Sequence, residues 1–173
     1  RRGRLSTHKK FGESTAILAG NSLLILAFEI LSDKKLKLGY EIRSRLIHFL
    51  ANCSGHSGIA GGQYSDLSFE HKKVSKSKII EMQNKKTGKL FSFCCSSPAI
   101  IAEKKLTVEK DLSQIGLQIG LLFQITDDLI DARGNKKKAG KLTKKDIKRG
   151  KATLINLLGY SNSLKLAYFI KNK

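Results

Sequence analysis

Residues 123 to 134 read FQITDDLIDARG, and the spacing of their apolar and acidic side chains commits this stretch to a helix with two unlike faces. Turning about 100° per residue, Phe123, Asp127, Asp131, Gln124 and Asp128 fall in that order within an arc of roughly 140°. Leu122, Ile125 and Leu129 take the opposite side. One face is fit for a core. The other gathers three of the chain's fourteen acidic residues within five positions, and clustered carboxylates repel one another unless a cation sits between them. Taken alone, Asp-Asp-x-x-Asp fits a solvated helix end as well as it fits a metal site.

Helical spacing of apolar residues recurs along the rest of the chain, proline appears once and tryptophan not at all. The expected class is therefore all-α. At 173 residues and 40% apolar content, the chain has room for one domain with a real core, residues 1–173, and two domains would be a strain. Helices are expected over 13–31, ended by Ser32-Asp33 and a lysine cluster, and over 40–51. Gly55, Gly58 and Gly62 in SGHSGIAGGQYSDL leave a face without side chains, on which a neighbouring helix or a ligand must pack closely. Ser75 or Ser77 can cap a helix through EMQNKKTGKLFSF, and Thr107 the long helix that carries the aspartates, with Gly134 as its terminator. The basic stretch GNKKKAGKLTKKDIKRGK follows, placed to close over anything bound to those aspartates.

The net charge is +19, from 33 basic residues against 14 acidic ones, a surplus that attracts phosphates of any kind. Of the 33, 26 are lysines scattered in short runs over the whole length. They form no aromatic-interleaved stripe of the sort single-strand binders use, so nucleic acid is a minority reading. Three cysteines, two of them adjacent at Cys94 and Cys95, make neither a disulfide framework nor a metal-ligand spacing with histidine. They read as buried free thiols in a reducing compartment. The apolar run AILAGNSLLILAFEIL is broken by Asn21 and Glu29 and is short for a bilayer span. With no signal peptide visible, the expected location is the cytoplasm, without stable membrane insertion.

Magnesium is a hard cation that takes carboxylate oxygen and shares its shell with substrate phosphates, which suits aspartates followed by a basic loop. FQITDDLID resembles the second aspartate-rich motif of the trans-isoprenyl diphosphate synthases. Four further stretches match in that family's order: RRG at 1–3, GGQYSDL at 61–67, KTG at 86–88 and GKAT at 150–153. HKKFGESTAILAGNSLLILAFEIL is similar to the helix after the family's first motif, especially in bacterial farnesyl diphosphate synthases. Each match is weak alone, but five in order, covering nearly the whole chain, form a specific set.

The resemblance implies an all-α isoprenoid-synthase helical bundle around a deep central cavity, a homodimer, and magnesium as cofactor. It implies ionisation of an allylic diphosphate, dimethylallyl or geranyl, and attack on the cation by the double bond of isopentenyl diphosphate. By position, Asp127, Asp128 and Asp131 hold the metal, with Asp127 as the direct ligand. Arg1, Lys86 and Lys141 grip the allylic diphosphate, Arg2 the diphosphate of isopentenyl diphosphate, and Lys151 the leaving group. Gln63 joins the substrate-binding set. Thr87 and Gln124 present neutral oxygen dipoles toward the cation, and Phe123 a π face. Plain alternatives stay open: Thr87 bonding its own helix backbone, Phe123 packed in a core, and Arg1 and Arg2 at a solvated terminus.

Family members carry a first aspartate-rich motif and helices before the double arginine, where this sequence begins; the expectation is that these residues belong to a longer chain, and the alternative is a truncated, inactive protein. Leu5-Ser6 replaces a proline-containing turn, and Asn21 a common aspartate. Residues upstream of the first motif set product length in the family, so farnesyl and geranylgeranyl products both remain open, with farnesyl favoured by the likeness of residues 7–31 to bacterial short-chain enzymes. A catalytically silent partner subunit is the alternative within the family, and a basic nucleic-acid-binding helical protein the one outside it.

Overall fold

Helix follows helix through residues 4–133 and 150–172, the residues described by a computed structural model, and no strand occurs among them. Helix α1 (Thr7–Phe11) turns at Gly12 into α2 (Glu13–Ser32). The Asp33 carboxylate then accepts from the Lys35 N–H at 2.9 Å and starts a single 3₁₀ turn, Lys34–Leu36. Helix α3 (Tyr40–Ser54) stops at Gly55, and α4 (Ile59–Ser68) follows. Ser75 caps α5 (Lys76–Gln83) by accepting from the Lys78 N–H at 3.4 Å. The backbone stays right-handed helical through a π turn at Asn84–Gly88 into α6 (Lys89–Ile101). Lys76 to Ile101 is thus one rod with a widened turn in its middle. Helix α7 (Leu106–Arg133) is 28 residues, about 42 Å at 1.5 Å per residue. Helices α8 (Leu154–Leu158) and α9 (Tyr160–Lys171) complete the described chain.

The core cluster joins four of these elements: Ile79 and Met82 from α5, Ile125 and Leu129 from α7, Leu154 from α8 and Ala167 from α9. Burying one such large apolar side chain stabilises by about 1.5–3 kcal/mol. A second layer packs α3 on α6, where Leu46, Leu50 and Cys53 are buried and the rings of Phe49 and Phe93 meet edge to face at 5.4 Å. Helices α6 and α7 approach closely because Gly116 lies against Ser92 and Gly120 against Gly88.

Several expectations need adjustment. Helix α7 begins at Leu106, so Thr107 lies inside its first turn instead of capping it. Gly134 and most of the basic stretch fall outside the described residues. Of the three glycines singled out, Gly55 and Gly58 precede α4, and only Gly62 lies within it. The thiols are not all buried: Cys53 is, Cys95 is half-buried and Cys94 is exposed. Burial pushes the Cys53 thiol above its ordinary range. Partial desolvation, with Cys95 alongside, does the same to Cys94.

Helix α2 buries none of its 20 residues; an 18-residue stretch of it has a mean hydropathy of 1.7, enough to cross a membrane by length and composition only, a test that core helices also pass. The deep central cavity is not enclosed by the described residues alone. They leave a pocket of about 20 Å³ beside the aspartates and open hollows of about 350 and 280 Å³ around Arg45, near the start of α7.

Candidate active site

The last turns of α7 lie against the π turn, α5 and α8, and this junction is where the chemistry-bearing side chains meet. A π turn inside an α-helical rod often marks a functional site, because the extra residue re-aims the side chains around it. Here it brings Lys86 and Thr87 toward α7. Asp66, Gln83, Lys86, Gln124, Asp128 and Lys151 all line the pocket of about 20 Å³. That volume holds about one water-sized group, such as a single phosphate oxygen.

Gln124 and Asp128 sit one turn apart on α7, the spacing at which helical side chains meet, and the Gln124 amide donates to Asp128 Oδ1 at 2.8 Å. A carboxylate accepts only, so the amide turns its nitrogen to Asp128 and leaves its carbonyl oxygen facing Thr87. The Thr87 hydroxyl donates to that oxygen at 3.4 Å. On the other side, the Gln83 amide donates to Asp128 Oδ2 at 3.4 Å. Both Asp128 oxygens are therefore held by amides, and the acid is 5% exposed. Gln83 is itself buried, and its Oε1 has no hydrogen-bond partner among the described residues.

The basic side of the pocket comes from two distant segments. Lys86 is half-buried, with its Nζ 2.5 Å from Asp66 Oδ2. Lys151 belongs to GKAT, whose parts now have physical roles. Gly150 has φ +62, and a Cβ there would lie 2.3 Å from the His71 ring. The Gly150 carbonyl accepts from the His71 N–H at 2.8 Å, and Thr153 caps α8 by accepting from the Asn156 N–H at 3.1 Å. That cap fixes the segment from which Lys151 enters the pocket.

The arc of acids is less open than the helical wheel implied. Asp127 is half-buried, while Asp128 and Asp131 are 5% and 4% exposed. A wheel counts angles on one helix and cannot see that α8 and α9 also pack on α7. Among the described residues, no three His, Cys, Asp or Glu side chains converge to hold a metal. The donor set nevertheless fits a hard cation of magnesium type, which needs only one or two carboxylates when water and substrate phosphate complete its shell.

The pocket unites Lys86, Gln124, Asp128 and Lys151, and Thr87 joins them through Gln124 instead of bonding its own backbone. Phe123 is 55% exposed and tilted against Phe91 with ring centroids 5.7 Å apart, so it is not a core residue. Gln63 is exposed on α4 and does not line the pocket. Arg1, Arg2 and Lys141 lie outside the described residues. Five residues that line the pocket were not singled out in the sequence: Asp66, Met82, Gln83, Ala152 and Thr153. Asp66 carried a usable signal, since it stands one helical turn beyond Gly62 and so shares its face.

The polyprenyl synthetase family model matches residues 1–171. The chain is similar to a farnesyl diphosphate synthase of Micrococcus luteus, with 37% identity over 166 residues, 96% of this chain and 56% of that one. It is 40% identical over 174 residues to a geranylgeranyl pyrophosphate synthase of Geoglobus acetivorans, covering all of this chain and 53% of that one. A crystal structure of a Helicobacter pylori geranyltransferase complexed with magnesium and isoprenyl diphosphate superposes with a TM-score of 0.88 at 32% identity, over 99% of this chain and 56% of that one. The chain thus spans little more than half the length of these relatives.

Proposed function

The chain belongs to the polyprenyl synthetase family, and on that premise we propose that the protein condenses isopentenyl diphosphate head to tail with dimethylallyl or geranyl diphosphate, giving a short-chain prenyl diphosphate. One observation carries this reading: a single pocket holds two lysines, from positions 86 and 151, beside a carboxylate and a glutamine of the aspartate-bearing helix. Separate cationic and anionic elements at one point are what a metal-bridged diphosphate requires.

In this reading Asp127, Asp128 and Asp131 hold magnesium, with Asp127 in direct contact. Asp128, held by two amides, serves as much to fix Gln124 as to bind metal. Bound there, the ion would neutralise charge developing on the departing diphosphate. Lys86, with Arg1 and Lys141, grips the allylic diphosphate, Lys151 takes charge at the leaving oxygen, and Arg2 and Gln63 serve substrate binding. As the allylic C–O bond breaks, its electron pair leaves with the diphosphate. The Gln124 carbonyl and the Thr87 hydroxyl offer oxygen dipoles to the cation without the basicity that would trap it, and the exposed Phe123 ring offers a π face.

Farnesyl diphosphate is the favoured product and geranylgeranyl diphosphate the alternative, each matched by a relative of that activity. We also propose a single domain, a homodimer and a cytoplasmic location. The nine large apolar side chains left exposed on α1 and α2 or just before them are more than a water-soluble monomer keeps in one region. Labelled isopentenyl diphosphate incubated with geranyl diphosphate should yield acid-labile C15 product only when magnesium is present. Metal-independent turnover, or none with any allylic partner, contradicts the proposal, and C20 product assigns the alternative.

A further inference from the structure

We infer that Asp66 is a positioning residue for Lys86, holding its ammonium group in the diphosphate pocket; the inference rests on the reading of Lys86 as a diphosphate ligand. Helix α4 meets the π turn backbone to backbone, since a Cβ on Gly62 would lie 2.2 Å from the Lys86 nitrogen. Asp66 stands one turn further along α4, on the same face, and places Oδ2 2.5 Å from Lys86 Nζ. It is 6% exposed, so its carboxylate is turned to the lysine and away from solvent, while Lys86 stays half-buried. The glycine and the acid of GGQYSDL therefore act together: one admits the widened turn and the other aims the side chain that the turn displaces.

The pairing matters because of what else lines the pocket. Lys86 shares it with Asp128, and a long, flexible ammonium without an anchor is drawn to the nearest carboxylate. Paired with Asp66, Lys86 keeps its charge available to a diphosphate oxygen without occupying the acids that would bind the metal. An ammonium has three donor hydrogens, so the ion pair leaves donors for the ligand.

The test is a double-substitution cycle read by calorimetric binding of inorganic diphosphate with magnesium. Asp66→Asn keeps size and an acceptor but removes the charge, and should weaken binding about tenfold. Lys86→Met should weaken it at least as much, and adding Asp66→Asn to Lys86→Met should cost nothing further. Where Asp66→Asn fails to fold by circular dichroism, Asp66→Glu, which displaces the charge by one methylene, takes its place in the same cycle. A loss present only when Lys86 is present supports the inference. Equal losses in both backgrounds, or none in either, overturn it while leaving the functional reading intact. Failure of the unsubstituted protein to bind diphosphate overturns both.

Discussion

Helices α2 and α7 are the longest among the described residues, at 20 and 28 residues, yet they have opposite fates. Helix α7 buries Ile125 completely and Leu129 to 7% exposure, and carries the acids on its other flank. Helix α2 is the more apolar and buries nothing: Ile25 remains 64% exposed. Apolar content therefore does not make a core helix; partners do. Helix α7 has them in α5, α6, α8 and α9, whereas among the described residues α2 packs mainly on α1 and α3.

The sharpest way to break this contrast is a matched pair of truncations. Measured at dilutions that leave the protein monomeric, Ile125→Ala should cost about 2–5 kcal/mol in denaturant unfolding, whereas Ile25→Ala should stay within about 0.5 kcal/mol. Comparable losses would mean that α2 is covered in solution as thoroughly as α7.

A smaller effect tests how α8 supports α7. Removing the cap with Thr153→Ala should cost about 1 kcal/mol, because α8 delivers fully buried Leu154 to the Ile125 cluster. It should also weaken diphosphate binding by loosening Lys151. A stability loss with unchanged binding would separate the cap from the site.

Smaller still is the alkaline response of the layer beneath α7. Burial raises the Cys53 thiol above 9.0, so the fold favours its neutral form. Below that ordinary value both states carry the thiol and its contribution is complete. As pH rises through the folded value the contribution is lost. The stability gap between wild type and Cys53→Ala should hold from pH 7 to 9 and narrow above it. A constant gap up to pH 11 contradicts the burial argument. Last comes assembly: Ile25→Lys on α2 should shift sedimentation from dimer toward monomer, and an unchanged dimer would show that α2 is not the face joining two copies.

Periodicity sufficed for what depends on one helix at a time. The core and acid sides of α7, the Ser75 cap and the helical reading of residues 13–31 could all be read from local spacing. The union of Lys86, Gln124 and Lys151 was legible only through family resemblance, since nothing local links positions 86 and 151. The π turn at Asn84–Gly88 was not legible, because it depends on Gly62 of α4 making room for it. Asp66 was missed for the same reason: its partner lies on another helix, twenty residues on. The burial of Asp128 and Asp131 also went unread, as it depends on helices that cover α7 from outside its own wheel.

The central claim is that α7 holds the fold with one face and the chemistry with the other, and Asp127→Asn tests it most directly. The substitution keeps size and removes one charge from the metal-binding flank. Prenyl transfer should fall by orders of magnitude, each factor of ten corresponding to about 1.4 kcal/mol of lost transition-state stabilisation. Stability of the metal-free protein should hold or rise as repulsion among the three aspartates is relieved. If Asp127→Asn instead unfolds the protein, or leaves turnover per folded molecule unchanged, the aspartates are structural and the two-faced account of α7 is wrong.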